Sequence, residues 1–152
     1  MSRFTSTLTT IAAFAALSLG VAACSSATDA NAQLKKAGVD ISDNGKGLPA
    51  TFPKADIPLP SLKLSSGAGT PDGSYALRYA STDAQKDSDA YKAALKAAGF
   101  KVTAESSTPA QAASPAGIAF VATSPKWMVS VGTFGPGTAD GNYMGIAATP
   151  IA

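Results

Sequence analysis

The sequence predicts an α+β fold of order β-β-α-β-β-β: a largely antiparallel sheet with one main helix packed on one face. Three observations predict it. From Ser74 to Ala80, Tyr75, Leu77 and Tyr79 alternate with Ala76, Arg78 and Ala80, the period of a half-buried strand. Tyr91, Ala94, Leu95 and Ala98 recur at helical spacing, so one stripe of a helix faces a core. Four further strand-like runs follow that helix with turn or loop residues between them, and strands grouped around a single helix argue for a helix laid on an antiparallel sheet.

Each element has its own local reason. Leu62 to Ser66 is a short strand, ended by the turn-forming run Gly67-Ala68-Gly69-Thr70-Pro71-Asp72-Gly73. After the strand Ser74 to Ala80, Ser81-Thr82-Asp83 offers caps for a helix running to about Ala98. Asp83, Asp87 and Asp89 at its start and Lys92 and Lys96 further on suit the helix dipole. Gly99 is the expected residue past its end. Phe100 to Glu105 is the next strand, and Ser106 to Pro115 a loop rich in Ser, Pro and Ala. Ile118 to Thr123, Trp127 to Phe134 and Tyr143 to Thr149 complete the sheet, with turns at Ser124-Pro125-Lys126 and from Gly135 to Asn142. The link from Tyr79 through the helix to Phe100 suits a parallel crossover. Strand order is left open.

Upstream, Ala27 to about Gly38 has the pattern of a short helix, with Thr28 or Asp29 as cap, Leu34 on one face and Gly38 as stop. Asp40 to Pro60 is turn-rich. Prolines at 53, 58 and 60 exclude a helix or a central strand there. The stretch is expected to be extended, either as a tether or laid along the domain through Phe52, Ile57 and Leu59.

The N-terminus carries the most specific pattern. Arg3 precedes an apolar run from Leu8 to Gly20, followed by Val21-Ala22-Ala23-Cys24-Ser25-Ser26, and Cys24 is the sole cysteine. The run falls short of the roughly 20 apolar residues of a spanning helix. Its small residues before Cys24 suit a cleavage site. The pattern resembles a bacterial lipoprotein signal peptide with its lipobox, although Val21 stands where that class most often has Leu. The resemblance implies cleavage before Cys24, a diacylglycerol thioether on the Cys24 sulfur and a further acyl chain on its amine. Each buried methylene contributes about 0.8 kcal/mol, so two or three chains make a stable anchor. The expected division is a signal peptide over 1–23, a lipidated N-terminus with short helix and Pro-rich tether over 24–60, and the α+β domain over 61–152. The expected location is the extracytoplasmic face of the cell membrane.

Further residues extend the likeness. Val39-Asp40-Ile41, Leu48-Pro49-Ala50-Thr51-Phe52-Pro53, Ile57-Pro58-Leu59-Pro60 and Gly99-Phe100 resemble the layout of small envelope lipoproteins of actinobacterial type. That likeness implies fold and location and carries no catalytic motif.

Composition narrows the chemistry. Twelve Lys and Arg against ten Asp and Glu leave no basic excess of the kind a nucleic-acid footprint needs. There is no histidine, the commonest general base and transition-metal ligand. With Cys24 acylated, a zinc site would have to be all oxygen, so no metal and no cofactor are expected. Four motifs invite a chemical reading and each has a plainer one. Ser42-Asp43-Asn44 matches one element of penicillin-recognising enzymes, but the Ser-x-x-Lys and Lys-Thr-Gly elements do not occur. Asp40-x-Ser42-x-Asn44-Gly45 resembles the start of a calcium loop, yet its twelfth position is Thr51 where a bidentate Glu belongs. Asp83, Asp87 and Asp89 suit a helix start better than acid–base work, which needs carboxylates in unlike environments. Gly135-x-Gly137-x-x-x-Gly141 sits between strands, with no helix after it to hold a phosphate.

One pattern remains. Met128, Ser130 and Gly132 alternate with Trp127, Val129 and Val131, and Tyr143, Gly145 and Ala147 with Met144, Ile146 and Ala148; together with Ala76 and Arg78 they predict a sheet face built of small residues with little charge. An open solvent face, or one covered by the Pro-rich stretch, is the first explanation, since one-sided antiparallel sheets are common. The second is a flat docking surface that includes Ala76, Arg78, Ser130 and Gly132. Two functions follow as expectations. The first is a non-catalytic binding or structural module, anchored by its lipid and facing an envelope protein, glycan or lipid partner. The alternative is a carrier of lipid or another hydrophobic ligand, or an enzyme, with a cleft between helix and sheet.

Overall fold

The computed structural model describes residues 27–42, 46–108, 117–134 and 142–151. The chain runs α1 (Ala27–Lys36), β1 (Leu64–Gly69), β2 (Tyr75–Ala80), α2 (Ala84–Ala97), β3 (Lys101–Thr108), β4 (Gly117–Thr123), β5 (Trp127–Phe134) and β6 (Tyr143–Pro150). The α+β architecture is as expected, but four strands follow α2, one more than the order β-β-α-β-β-β has. Both helices end by one device. Gly38 and Gly99 take positive φ, of 80° and 87°. The next N–H, of Val39 or Phe100, reaches back to the carbonyl of Leu34 or Leu95 at 3.0 Å, and an apolar side chain thus follows each glycine. At its start α2 is capped by Asp83, whose carboxylate accepts from the Lys86 N–H at 3.0 Å. Thr28 and Asp29, expected as caps, lie within α1, which begins by Ala27.

The strands form one sheet of order β1-β2-β6-β5-β4-β3, and every neighbouring pair is antiparallel. Alternation along this order makes β2 and β3 point the same way. The link through α2 therefore joins parallel strands, with β6, β5 and β4 lying between them. β5 has the expected bounds. β1 begins and ends later than its pattern suggests, and Gly67-Ala68-Gly69 belong to the strand instead of the turn. The reason is a close approach. A Cβ on Gly67 would stand 2.9 Å from the Gly47 carbonyl and 3.0 Å from both Pro49 and Leu77. These glycines leave room for a second stretch of backbone, and Asp40 pairs with Gly69 through two hydrogen bonds of 2.7 and 2.9 Å.

That second stretch is the arm from Val39 to Leu62. Its Phe52 is buried edge-on to Tyr75, with ring centroids 5.2 Å apart. Ile57 is fully buried in the main cluster with Leu77, Tyr91, Leu95, Val129 and Met144. Two tyrosine hydroxyls fasten the arm's backbone: Tyr75 donates to the Thr51 carbonyl at 2.8 Å and Tyr91 to the Pro58 carbonyl at 3.1 Å. The arm is not a plain extended chain, because the N–H groups of Asp56 and Ile57 both return to the Pro53 carbonyl in a single turn. Helix α2 packs over β3, β4, β5 and β6, and the arm lies beside it, against β1 and β2. Of the predicted helix stripe, Tyr91 and Leu95 are buried, Ala94 is half-buried and Ala98 is exposed. Ser88 completes the buried side of α2. Its hydroxyl is fully buried and has no hydrogen-bond partner among the described residues.

Three outcomes are expected from this packing. Ile57→Ala should cost about 2–5 kcal/mol, read as a lowered urea midpoint with an unchanged slope, whereas a mere tether would register nothing. Ser88→Ala should raise stability by about 1 kcal/mol in the same measurement, since it removes a buried donor with no partner among the described residues and favours the helix. The third concerns Asp40, whose carboxylate accepts from the Thr51 hydroxyl at 2.7 Å and the Thr51 N–H at 2.9 Å. The hydroxyl first, and then the N–H, hold its pKa below the ordinary value of 3.8. A lowered folded pKa contributes stability above the unfolded value, and this is lost as pH falls through the folded one. The gap in urea midpoint between the wild type and Asp40→Asn should therefore be constant from pH 7 to 5 and close below the ordinary carboxylate range.

Candidate functional site

With α2 and the arm on one side, the register defines the other. Pairing carries Ala76 of β2 to Ala147 of β6, Ala147 to Ser130 of β5, Ser130 to Val121 of β4 and Val121 to Ala104 of β3. The next row runs from Ser66 of β1 through Arg78, Gly145, Gly132 and Ala119 to Ser106. Ala76, Arg78, Ser130 and Gly132 thus occupy two adjacent rows of one face, with only β6 between their strands. The face spans all six strands, and these two rows are made of alanine, glycine and serine with Val121 and Arg78. Met128, in a flanking row, is 40% exposed. The Pro-rich arm does not cover this face, since Phe52 and Ile57 are buried in the cluster on the opposite side.

Charge on the strands is sorted by face. Glu105 is the one carboxylate on a described strand. It points to the helix side, where it pairs with Lys92 of α2. The open face carries Arg78 within its rows and Lys101 at a corner, opposite Thr123. The remaining described acids are tied up locally. Asp87 accepts from the Ser81 hydroxyl at 2.7 Å and sits within 3.4 Å of the Thr82 and Asp83 N–H groups. Asp89 accepts from Gln85 at 2.8 Å and lies 3.5 Å from Lys92, and the Gln85 contact, ahead of that lysine, lowers its pKa. Asp83, Asp87 and Asp89 therefore build the start of α2, and no two of them share a site. Asp56 reaches Lys126 at 3.2 Å, joining the arm to the β4–β5 turn.

The polar groups that do converge lie at the β1–β2–β6 end of the open face. There a cleft of about 330 Å³ is lined by Ser65, Ser66, Arg78, Ala80, Asn142 and Tyr143. The Arg78 guanidinium stacks on the Tyr143 ring, 3.9 Å from its centroid. Gly145, paired with Arg78, and Ala80, paired with Tyr143, keep the walls low around the two large side chains. Sequence patterning picks out Arg78 but not which residues meet it. Ser66 and Tyr143 meet it only because β1 and β6 flank β2, an order no local pattern encodes.

The helix side offers less. Beside α2 the arm leaves a cleft of about 130 Å³ lined by Leu59, Pro60, Ser61, Leu62, Asp87, Ala90, Tyr91 and Ala94. That is below the roughly 300 Å³ at which small-molecule sites begin. Two tyrosines border the core here. Burial raises the pKa of Tyr79 to about 12, and that of Tyr91 further, chiefly by burial and secondarily by Tyr79 itself. Both phenols stay protonated at neutral pH.

Several sequence motifs fall outside the described residues: the apolar run and Cys24, most of Ser42-Asp43-Asn44, the loop beyond Thr108 and the glycines from 135 to 141. The first and twelfth positions of the calcium-like stretch are described. Asp40 and Thr51 meet directly, so the carboxylate that would begin a metal loop is engaged by the residue that would end it. Comparison of the chain with family models, with curated proteins and with solved structures finds no match to any of them.

Proposed function

We propose that this chain is a lipid-anchored envelope protein, held to the extracytoplasmic face of a bacterial membrane through Cys24, and that it works there as a non-catalytic binding or structural module. The observation that carries the anchor is Val21-Ala22-Ala23-Cys24 at the end of an apolar run, with no other cysteine in the chain. What supports the binding role is the six-stranded face that no described element covers, bordered by the polar cleft described above. The carrier reading has less behind it. The space between α2 and the sheet is filled by Tyr91, Leu95, Phe120 and Val129, and the cleft beside it is small.

The docked arm bears on how such a module would sit. A free coil from Ser25 to Pro60 would reach on the order of 30–36 Å. Asp40 is already bonded to the edge of β1, which leaves α1 as the main spacer, and its ten residues rise about 15 Å. Under this reading the domain works close to the bilayer, and its partners are components of that surface zone.

The test is expression of the full chain in a bacterial host that acylates lipoproteins. The mature protein should fractionate with membranes, and its mass should equal residues 24–152 plus acyl groups. Cys24→Ser should move it to the soluble fraction with an unchanged far-ultraviolet spectrum. A wild-type chain recovered soluble, with a free thiol and residues 1–23 attached, overturns the anchor. Cross-linking of the anchored protein that yields no protein, glycan or lipid adduct overturns the binding role.

A further inference from the structure

Helix α1 packs on no other described helix or strand. Its ten residues are too few for a stable helix in water on their own, because nucleation is costly and few hydrogen bonds follow it. Residues 32–38 are all exposed, with Leu34 at 38%. Lys35 and Lys36 follow Leu34 in the last turn, and neither ammonium has a carboxylate partner among the described residues. Of the acids around this end of the helix, Asp40 is held by Thr51, and Asp72 by Thr70 and Ser74. The helix dipole accounts for two lysines at a C-terminus. It does not account for the exposed leucine beside them, or for a short helix that the domain leaves unpacked.

The helix runs between the domain and Cys24. At its end Gly38 abuts the β1–β2 turn, where an added Cβ would stand 3.0 Å from Pro71. At its start Ala27 is three residues from Cys24, at most about 11 Å of chain. We propose that α1 lies along the bilayer on its Leu34 side, with the ammonium groups of Lys35 and Lys36 on anionic phospholipid headgroups. Chain length and charge name this occupant. An acylated Cys24 keeps the start of α1 beside the headgroups, so the contact is intramolecular and needs little affinity of its own. Two lysines near an anionic surface strengthen it about thirtyfold, and Leu34 adds an apolar side chain to the interface. The helix then spaces the domain along the surface and not away from it. The proposal rests on the lipid anchor at Cys24, and it names what the segment after that anchor does.

The experiment is amide hydrogen exchange on the full chain, processed and acylated by its host. The protein is reconstituted in vesicles of phosphatidylcholine alone, and in vesicles of equal parts phosphatidylcholine and phosphatidylglycerol. Flotation with the vesicles reports the anchor, and exchange over residues 31–37 reports the helix. Those amides should exchange at least about tenfold more slowly on the anionic vesicles. Salt at about 1 M, which shortens the screening length to about 3 Å, should remove the difference. The double variant Lys35→Gln, Lys36→Gln should lose most of this protection, since glutamine matches lysine as a helix former and lacks only the charge. Both side chains are exposed, so β5 and β6 should exchange in the variant as in the wild type, which shows that its domain is folded. Equal protection on both kinds of vesicle, as contact with a second copy or another protein would give, overturns the proposal. So does rapid exchange on both, or protection that the double variant keeps. A chain that floats without protection specific to the anionic lipid keeps its anchor and loses this role for α1. A chain that does not float loses both.

Discussion

One helix cannot cover six strands. A helix with its side chains is about 10–12 Å across, whereas six strands spaced about 4.8 Å apart place their outer members about 24 Å from each other. Helix α2 lies over β3 to β6 and leaves Tyr75, Leu77 and Tyr79 of β2 in need of cover. The arm supplies it. Fully burying side chains the size of Phe52 and Ile57 is worth about 1.5–3 kcal/mol each, and the hydroxyls of Tyr75 and Tyr91 find carbonyl partners in the same stretch. Ordering so many residues without regular structure is costly in entropy. Prolines at 49, 53, 58 and 60 reduce that cost by restricting the unfolded chain.

The same constraint decides which face of the sheet stays bare. Among the described residues, α2 and the arm are both spent on one side, and no described element covers the other. Alanine, glycine and serine achieve this by exposing little apolar surface per residue, while the strand pairs satisfy the backbone. Large apolar patches on monomers mark docking sites or aggregation hazards, and this face avoids one by the size of its side chains. The edges are managed as well. β1 is closed at one end by the Asp40 bridge and bent by an irregularity between Leu64 and Ser66, and β3 has another between Val102 and Ala104.

Local chemistry made much of this legible. The alternation in β2, the run from Trp127 to Phe134, Asp83 before α2 and Gly99 after it all act over a few residues, so the sequence displays them directly. What stayed hidden is non-local. Gly67 and Gly69 look like a turn because glycine favours turns, and the arm that needs their missing Cβ atoms lies some twenty residues upstream at Pro49 and some thirty upstream at Asp40. Ser88 reads as a surface serine because its burial follows from the tilt of α2 on the sheet. Strand order is the largest gap. Five antiparallel pairings are compatible with the same alternating patterns until the chain is closed in space. On the candidate site, the small residues of the open face were legible as a class, and Arg78 as a charge among them. The partners of Arg78 were not, since they come from strands whose adjacency only the fold reveals.

That difference bears on how the face would recognise anything. A partner lying flat on alanine and glycine gains little from burying them, because each offers few methyl or methylene groups to desolvate. Such a surface permits close approach but gives weak affinity and little discrimination. Discrimination needs groups that are penalised when wrongly paired, and on this face they are gathered at one end, in the guanidinium of Arg78 with the hydroxyls and amide around it.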